Sequence, residues 1–149
     1  MFAAVEPTSQ GSAAAKKGEP VFTVLIAEDN EDLRGMLGQL LEANGYRTSS
    51  AADGCEAVER AVGERPDLII MDLGMPGMDG LSAVQEIMRR APGADIPVLI
   101  LSAFDRLEYR TEAVSAGCAG FIAKPVDPGA LLETIRLLLP EDEDPARVG

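Results

Sequence analysis

Apolar and polar positions come in alternating blocks between residues 21 and 139. Four short runs, "VFTVLIA" (21–27), "DLIIM" (67–71), "PVLIL" (97–101) and "AGFIA" (119–123), are almost continuously apolar, as strands buried on both faces are. A fifth candidate, "YRTSSAA" (46–52), is polar and has the look of an edge strand. Between the runs the apolar residues switch to helical spacing. Leu33, Met36, Leu37, Leu40 and Leu41 mark a helix that stops at Asn44-Gly45, a good C-terminal signal, and Leu131, Leu132, Ile135, Leu138 and Leu139 mark another. Segments 54–63, 80–91 and 105–116 complete five strand and helix pairs, the fourth helix having the poorest stripe, chiefly Leu107 and Val114.

Strands that read as buried on both faces, alternating with helices, predict a parallel sheet covered on both sides and joined by right-handed crossovers. Five such units predict an α/β fold of the flavodoxin-like (βα)5 type, a three-layer sandwich with sheet order 2-1-3-4-5. In that order the ligand crevice lies beyond the carboxyl ends of strands 1 and 3. Residues 1–20 and the acidic 140–149, without periodicity and rich in Pro, Gly, Ser or like charges, are expected to be flexible tails flanking a domain at 21–139.

Composition narrows the function classes. A formal charge of -12 opposes a polyanion, so direct nucleic-acid binding is not expected. No stretch approaches the run of about 18 apolar residues that a span needs, and no secretory pattern opens the chain. Membrane insertion is therefore not expected, and a cytoplasmic location is. Histidine is absent, which removes Ser-His-Asp and Cys-His nucleophile activation as well as His-based zinc ligation. Cys55 and Cys118 lack zinc-site or disulfide-scaffold spacing and are expected to be reduced core or near-core residues.

Chemistry gathers where the apolar runs end. The first is followed by Glu28-Asp29, the third by Asp72, the fourth by Ser102 and the fifth by Lys124. Each has a plain reading alone. Asp29 or Asn30 could cap the first helix, Asp72 could form a turn, Ser102 could cap the helix near Asp105, and Lys124 could be a solvated charge. Joint placement on one rim changes the weighting: three converging carboxylates repel unless a cation intervenes, and an all-oxygen set favours a hard divalent ion such as Mg²⁺.

With "AEDN", "MDLGMPGMDG", "LSA" and "AKP" at those four ends, residues 21–139 resemble the receiver domains of two-component response regulators. The resemblance implies that Asp72 accepts a phosphoryl group from a phosphohistidine on a histidine kinase or histidine phosphotransfer protein. It implies Mg²⁺, with Mn²⁺ able to substitute, held by Asp29 directly, Glu28 through water, Asp72 and the Gly74 carbonyl. Lys124 then pairs with a phosphoryl oxygen, Ser102 turns toward it beside small Ala103, and Phe121 rotates inward to couple the site to the face of the fourth helix, fifth strand and fifth helix. Many relatives carry Tyr at position 121; Phe leaves that inward state to packing, and Phe121 as a plain core residue is the other reading. Gly74 places no side chain over the site, at a position that tunes dephosphorylation in this family. Pro76 with Gly77 shapes the loop, and Pro125 follows a cis peptide.

The function implied is a phosphorylation switch that controls binding of a downstream protein, with Mg²⁺-dependent self-phosphorylation and autodephosphorylation rather than metabolic catalysis. A stand-alone receiver is the expectation, with an excised receiver of a longer regulator as the other reading. One alternative is a degenerate receiver that acts as a phosphorylation-independent interaction module. A Mg²⁺ phosphohydrolase is the other, disfavoured because its acid-base Asp two residues after the nucleophile is here Gly74.

Overall fold

The structure, a computed structural model, describes residues 21–91, 95–103 and 107–139, with 107–109 as backbone only. The elements are β1 (Thr23–Ala27), α1 (Glu31–Ala43), β2 (Arg47–Ala51), α2 (Gly54–Glu64), β3 (Leu68–Asp72), α3 (Gly80–Arg90), β4 (Val98–Ser102), α4 (Leu107–Ser115), β5 (Gly120–Ala123) and α5 (Pro128–Leu138). The strands pair in parallel in the order β2-β1-β3-β4-β5, as the alternating pattern predicts. The two tails expected at 1–20 and 140–149, and the helix start expected at Asp105, lie outside the described residues.

Side chains alternate across the sheet, so one strand feeds two cores. Val24, Ile26, Leu68, Ile70, Leu99 and Leu101 pack with Leu37 and Leu41 of α1 and Leu131 and Ile135 of α5. Leu25, Ala27, Ile69, Met71 and Ile100 pack on the other face with Ala57, Val58 and Ala61 of α2, Ala83, Val84 and Ile87 of α3, and Ala113 of α4. Local capping sets where the helices begin. Asn30, Asp53, Asp79 and Asp127 each accept a backbone N–H from the first turn of α1, α2, α3 and α5, holding an otherwise orphan donor. At the other end of α1, Gly45 takes φ 92°, a conformation that only a residue without Cβ adopts cheaply.

Four expectations need correcting. β5 is half-buried along its length because it is a sheet edge, not a strand covered on both faces. Val114 is 72% exposed, and α4 instead turns Ala113 inward. Met36 is 49% exposed, since the inward stripe of α1 runs through Leu33, Leu37, Leu40 and Leu41. Cys55 is exposed and only Cys118 is half-buried, because α2 turns Gly54, Ala57, Val58 and Ala61 inward and leaves position 55 outside.

The cysteines should differ sharply in reactivity. Burial pushes the Cys118 thiol up to about 11, so at pH 8 only about one molecule in a thousand carries the nucleophilic thiolate. Alkylation of the folded protein at pH 8, followed by peptide mass spectrometry, is expected to label Cys55 at least about 100-fold faster. Comparable rates would show that the region around Cys118 opens readily.

Candidate functional site

Three strand ends and the loop after β5 bring the chemistry to one rim. The Glu28 N–H still bonds to the Ala51 carbonyl at 3.0 Å, which carries the β1–β2 ladder one residue past β1 and buries Glu28 to 1% exposure. Its carboxylate accepts the Asn30 N–H at Oε2 (3.0 Å), and Oε1 faces the Lys124 ammonium at 3.0 Å. Asp72, the last residue of β3, is 4% exposed and accepts the Gly74 N–H at 3.2 Å. Lys124 lies 3.4 Å from the same oxygen of Asp72. One oxygen from each of Glu28, Asp29 and Asp72 falls within 4.8 Å of the others.

The arrangement is electrostatically unbalanced, with three carboxylates around one ammonium. At that separation two unit charges repel by about 3–4 kcal/mol at an effective dielectric of 20, less where exposed Asp29 is screened. Burial raises the Glu28 carboxyl above its ordinary 4.5, and the charge of Asp72 pushes the same way, against the Asn30 N–H and the Lys124 ammonium. For Lys124 burial works against the charge, but the contacts to Glu28 and Asp72 outweigh it and hold the ammonium above its ordinary range. A carboxyl raised in the folded state costs stability once ionised. That cost is complete above its folded pKa and vanishes as the pH falls toward 4.5.

The donor set fits a hard divalent cation. Glu28 Oε1 is buried and, among the described residues, receives no hydrogen bond of good geometry beyond the ion pair to Lys124. Such an oxygen, beside two more carboxylates and without sulfur or imidazole, suits the preference of Mg²⁺ for oxygen donors. Gly74 is exposed and a side chain there would meet open space, so nothing crowds the mouth from that position.

The remaining positions are placed around this centre. Ser102 is fully buried at the end of β4, with exposed Ala103 next to it; the Ser102 carbonyl accepts the Lys124 N–H at 2.7 Å. The peptide between Lys124 and Pro125 is cis. Phe121 is half-buried opposite Ile100 and, by strand alternation, shares its face with Ser102, two residues farther along β4. The Arg110 guanidinium lies 4.7 Å from the centre of the Phe121 ring, a cation–π contact. Pro76 and Gly77 are exposed in the loop after β3, with Gly77 at φ 79°.

Two contributors escaped the sequence reading. Arg34 donates from Nη1 to the Glu28 carbonyl at 2.8 Å, a backbone contact with no sequence signature. Gly54 packs so closely under the loop after β3 that a Cβ there would sit 2.1 Å from the Met78 carbonyl oxygen. Backbone cannot yield as a flexible side chain can. Gly54→Ala is expected to lower stability by about 2–3 kcal/mol in urea unfolding and to displace the loop that carries Gly74. An unchanged midpoint would mean that this loop is loosely held.

Fold and site together define a doubly covered parallel α/β protein whose acidic crevice, bridged by one lysine, opens at the carboxyl ends of β1 and β3. The chain belongs to the response regulator receiver domains, whose family model matches residues 24–136. It is 35% identical over 124 residues to the response regulator MprA of Mycobacterium avium (strain 104), covering 80% of this chain and 54% of that protein. For MprA of Mycobacterium leprae (strain TN) the identity is 36% over 116 residues, covering 78% and 50%. The chain thus spans about half the length of the curated relatives it matches. Among solved structures, the chemotaxis protein CheY4 of Vibrio cholerae superposes with a TM-score of 0.76 at 32% identity, covering 80% of this chain and all of that one. The receiver domain of the Francisella response regulator 1452 gives 0.73 at 32%, covering 78% and 95%. Receiver domains bind Mg²⁺ at an acidic pocket, and the cluster of Glu28, Asp29 and Asp72 is a pocket of that kind. Among the described residues no helix is long and apolar enough to cross a membrane.

Proposed function

We propose that this chain is a phosphorylation-controlled switch in which Asp72 receives the phosphoryl group from a phosphohistidine of a histidine kinase or phosphotransfer protein. The observation that carries the reading is the placement of a buried carboxylate 3.4 Å from a lysine and beside two further acids. A carboxylate can attack phosphorus directly, so the absence of histidine from this chain is no obstacle. The bond formed is Asp72 Oδ to phosphorus, and the bond broken is phosphorus to the donor's imidazole nitrogen, which leaves as the neutral ring once protonated.

Asp29, Asp72 and the Gly74 carbonyl are the groups to hold Mg²⁺ directly, with Glu28 through water; Mn²⁺ meets the same oxygen preference. The bound ion supplies charge neutralisation for the phosphoryl oxygens. Lys124 supplies a second positive charge, a point charge already 3.4 Å from Asp72. Ser102 donates its hydroxyl to the new phosphoryl group, and Phe121 follows by packing inward, leaving Arg110. The readout is a changed surface on α4, β5 and α5 for a downstream protein.

The test is mass spectrometry after incubation with a small acyl or amido phosphodonor. One phosphoryl addition is expected with Mg²⁺ or Mn²⁺, and none in chelator. No addition with any donor or cognate kinase would leave the interaction-module reading in its place.

A further inference from the structure

We infer that Arg34 is a positioning residue for the acidic pair, holding the backbone of Glu28 and Asp29 so that both carboxylates face Asp72. The inference rests on the metal-binding reading of the site. β1 ends at Ala27, and Glu28 is the last residue whose N–H joins the ladder, through the Ala51 carbonyl. From there the chain must turn away from the sheet within three residues to start α1 at Glu31. The carbonyls of this turn have left the ladder. Arg34 Nη1 takes over the Glu28 carbonyl at 2.8 Å, and the Asp29 carbonyl lies 3.5 Å from the same nitrogen.

Arg34 is itself anchored in the first turn of α1, where its N–H bonds to the Asn30 carbonyl at 2.9 Å, and Asn30 caps the helix by accepting the Leu33 N–H. Helix start, acidic pair and strand end are therefore tied by one side chain. Among the described residues no carboxylate comes within ion-pair distance of Arg34; the field of its charge reaches Glu56 from farther away. The guanidinium is spent on neutral carbonyls, and its contribution is orientation of the residues that carry the charge.

This assignment makes a prediction opposite in sign to simple electrostatics. Removing a positive charge beside a cation site should tighten Mg²⁺ binding, whereas removing a positioning residue should weaken it. The experiment titrates wild type, Arg34→Met and Arg34→Lys with Mg²⁺ by calorimetry and with Mn²⁺ by paramagnetic resonance of the free ion, and melts each in chelator. Expected is a loss of about tenfold or more in affinity for folded Arg34→Met, with Arg34→Lys in between because an ammonium can still reach one carbonyl. Equal or tighter binding by folded Arg34→Met overturns the inference, even if its melting point falls, since that pattern belongs to a purely structural contact. If Arg34→Met does not fold, Arg34→Gln is read in the same way. Absence of binding by wild type itself overturns the metal-binding reading, and the inference with it, so the two failures are told apart by the parent protein.

Discussion

Asp72→Asn is expected to take up no phosphoryl group from any donor and, in chelator, to melt higher than wild type. The first result follows from nucleophilicity, because an amide oxygen does not attack phosphorus, and the other carboxylate beside Lys124, Glu28, is 1% exposed. Incorporation should fall by at least about a thousandfold, read as loss of the added mass. The second follows from charge. Asp72 is 4% exposed and shares its neighbourhood with Glu28 and Asp29, while Lys124 balances only one of the three. An Asn oxygen can still accept the Gly74 N–H, and Lys124 keeps Glu28 at 3.0 Å, so neutralising the side chain removes repulsion at little loss. A gain of about 1–2 kcal/mol is expected, or about 4–8 °C. Saturating Mg²⁺ should erase or invert the difference, since wild type gains more from binding the ion. A variant less stable than wild type in chelator would show that Lys124 already compensates the cluster, and persistent incorporation would place the acceptor elsewhere.

Lys124→Met separates two roles that the same ammonium plays. In the resting protein Lys124 competes with any cation for Glu28 and Asp72, so its removal should tighten Mg²⁺ binding by about tenfold, or about 1.4 kcal/mol. In the proposed transfer it is the charge that meets the phosphoryl oxygens, so the rate of phosphorylation at saturating Mg²⁺ should fall by about 10²–10³. Metal-free stability should drop by about 1–2 kcal/mol, less than for a fully buried pair, because Lys124 is 23% exposed and Glu28 can take up a proton. Calorimetric titration, stopped-flow or mass-resolved phosphorylation kinetics and a melt in chelator give the three numbers independently. Weaker Mg²⁺ binding alongside slower transfer would mean that Lys124 orients the site instead of competing for it. Taken with Arg34→Met, the two cations are expected to move Mg²⁺ affinity in opposite directions, one by competing for carboxylates and the other by holding their backbone.

Much of the site was legible because its chemistry stands where apolar runs stop. Glu28, Asp29, Asp72, Ser102 and Lys124 could be placed on one rim by counting strands. What stayed open was resolved by single contacts. Asp29 and Asn30 were equal candidates to cap α1; Asn30 takes the Leu33 N–H, which leaves the Asp29 carboxylate to the acidic cluster. Arg34 and Gly54 stayed hidden because each acts on another segment's backbone, which has no letter of its own. One misplacement was avoidable. Position 55 falls off the stripe of Gly54, Ala57, Val58 and Ala61, so helical spacing alone exposes Cys55, whereas Met36, three residues from Leu33 and four from Leu40, sits at the margin of its stripe and only packing leaves it outside.

By itself the sequence determined the alternation of strands and helices, the double coverage of the central strands and the acids at their ends. These are properties of spacing, with periods of 2 and 3.6, and they need no partner segment to be read. Tertiary structure alone decided that three carboxylates approach within 4.8 Å, that Lys124 bridges two of them, and that Arg34 returns to the strand it follows. Those outcomes depend on register, Ile26 beside Ile70 and Asp72 beside Leu101, and on crossovers that bring residues distant in the chain to one edge. A shift of a single position in any of these ladders would keep every helix and strand while turning the site's side chains to the opposite face.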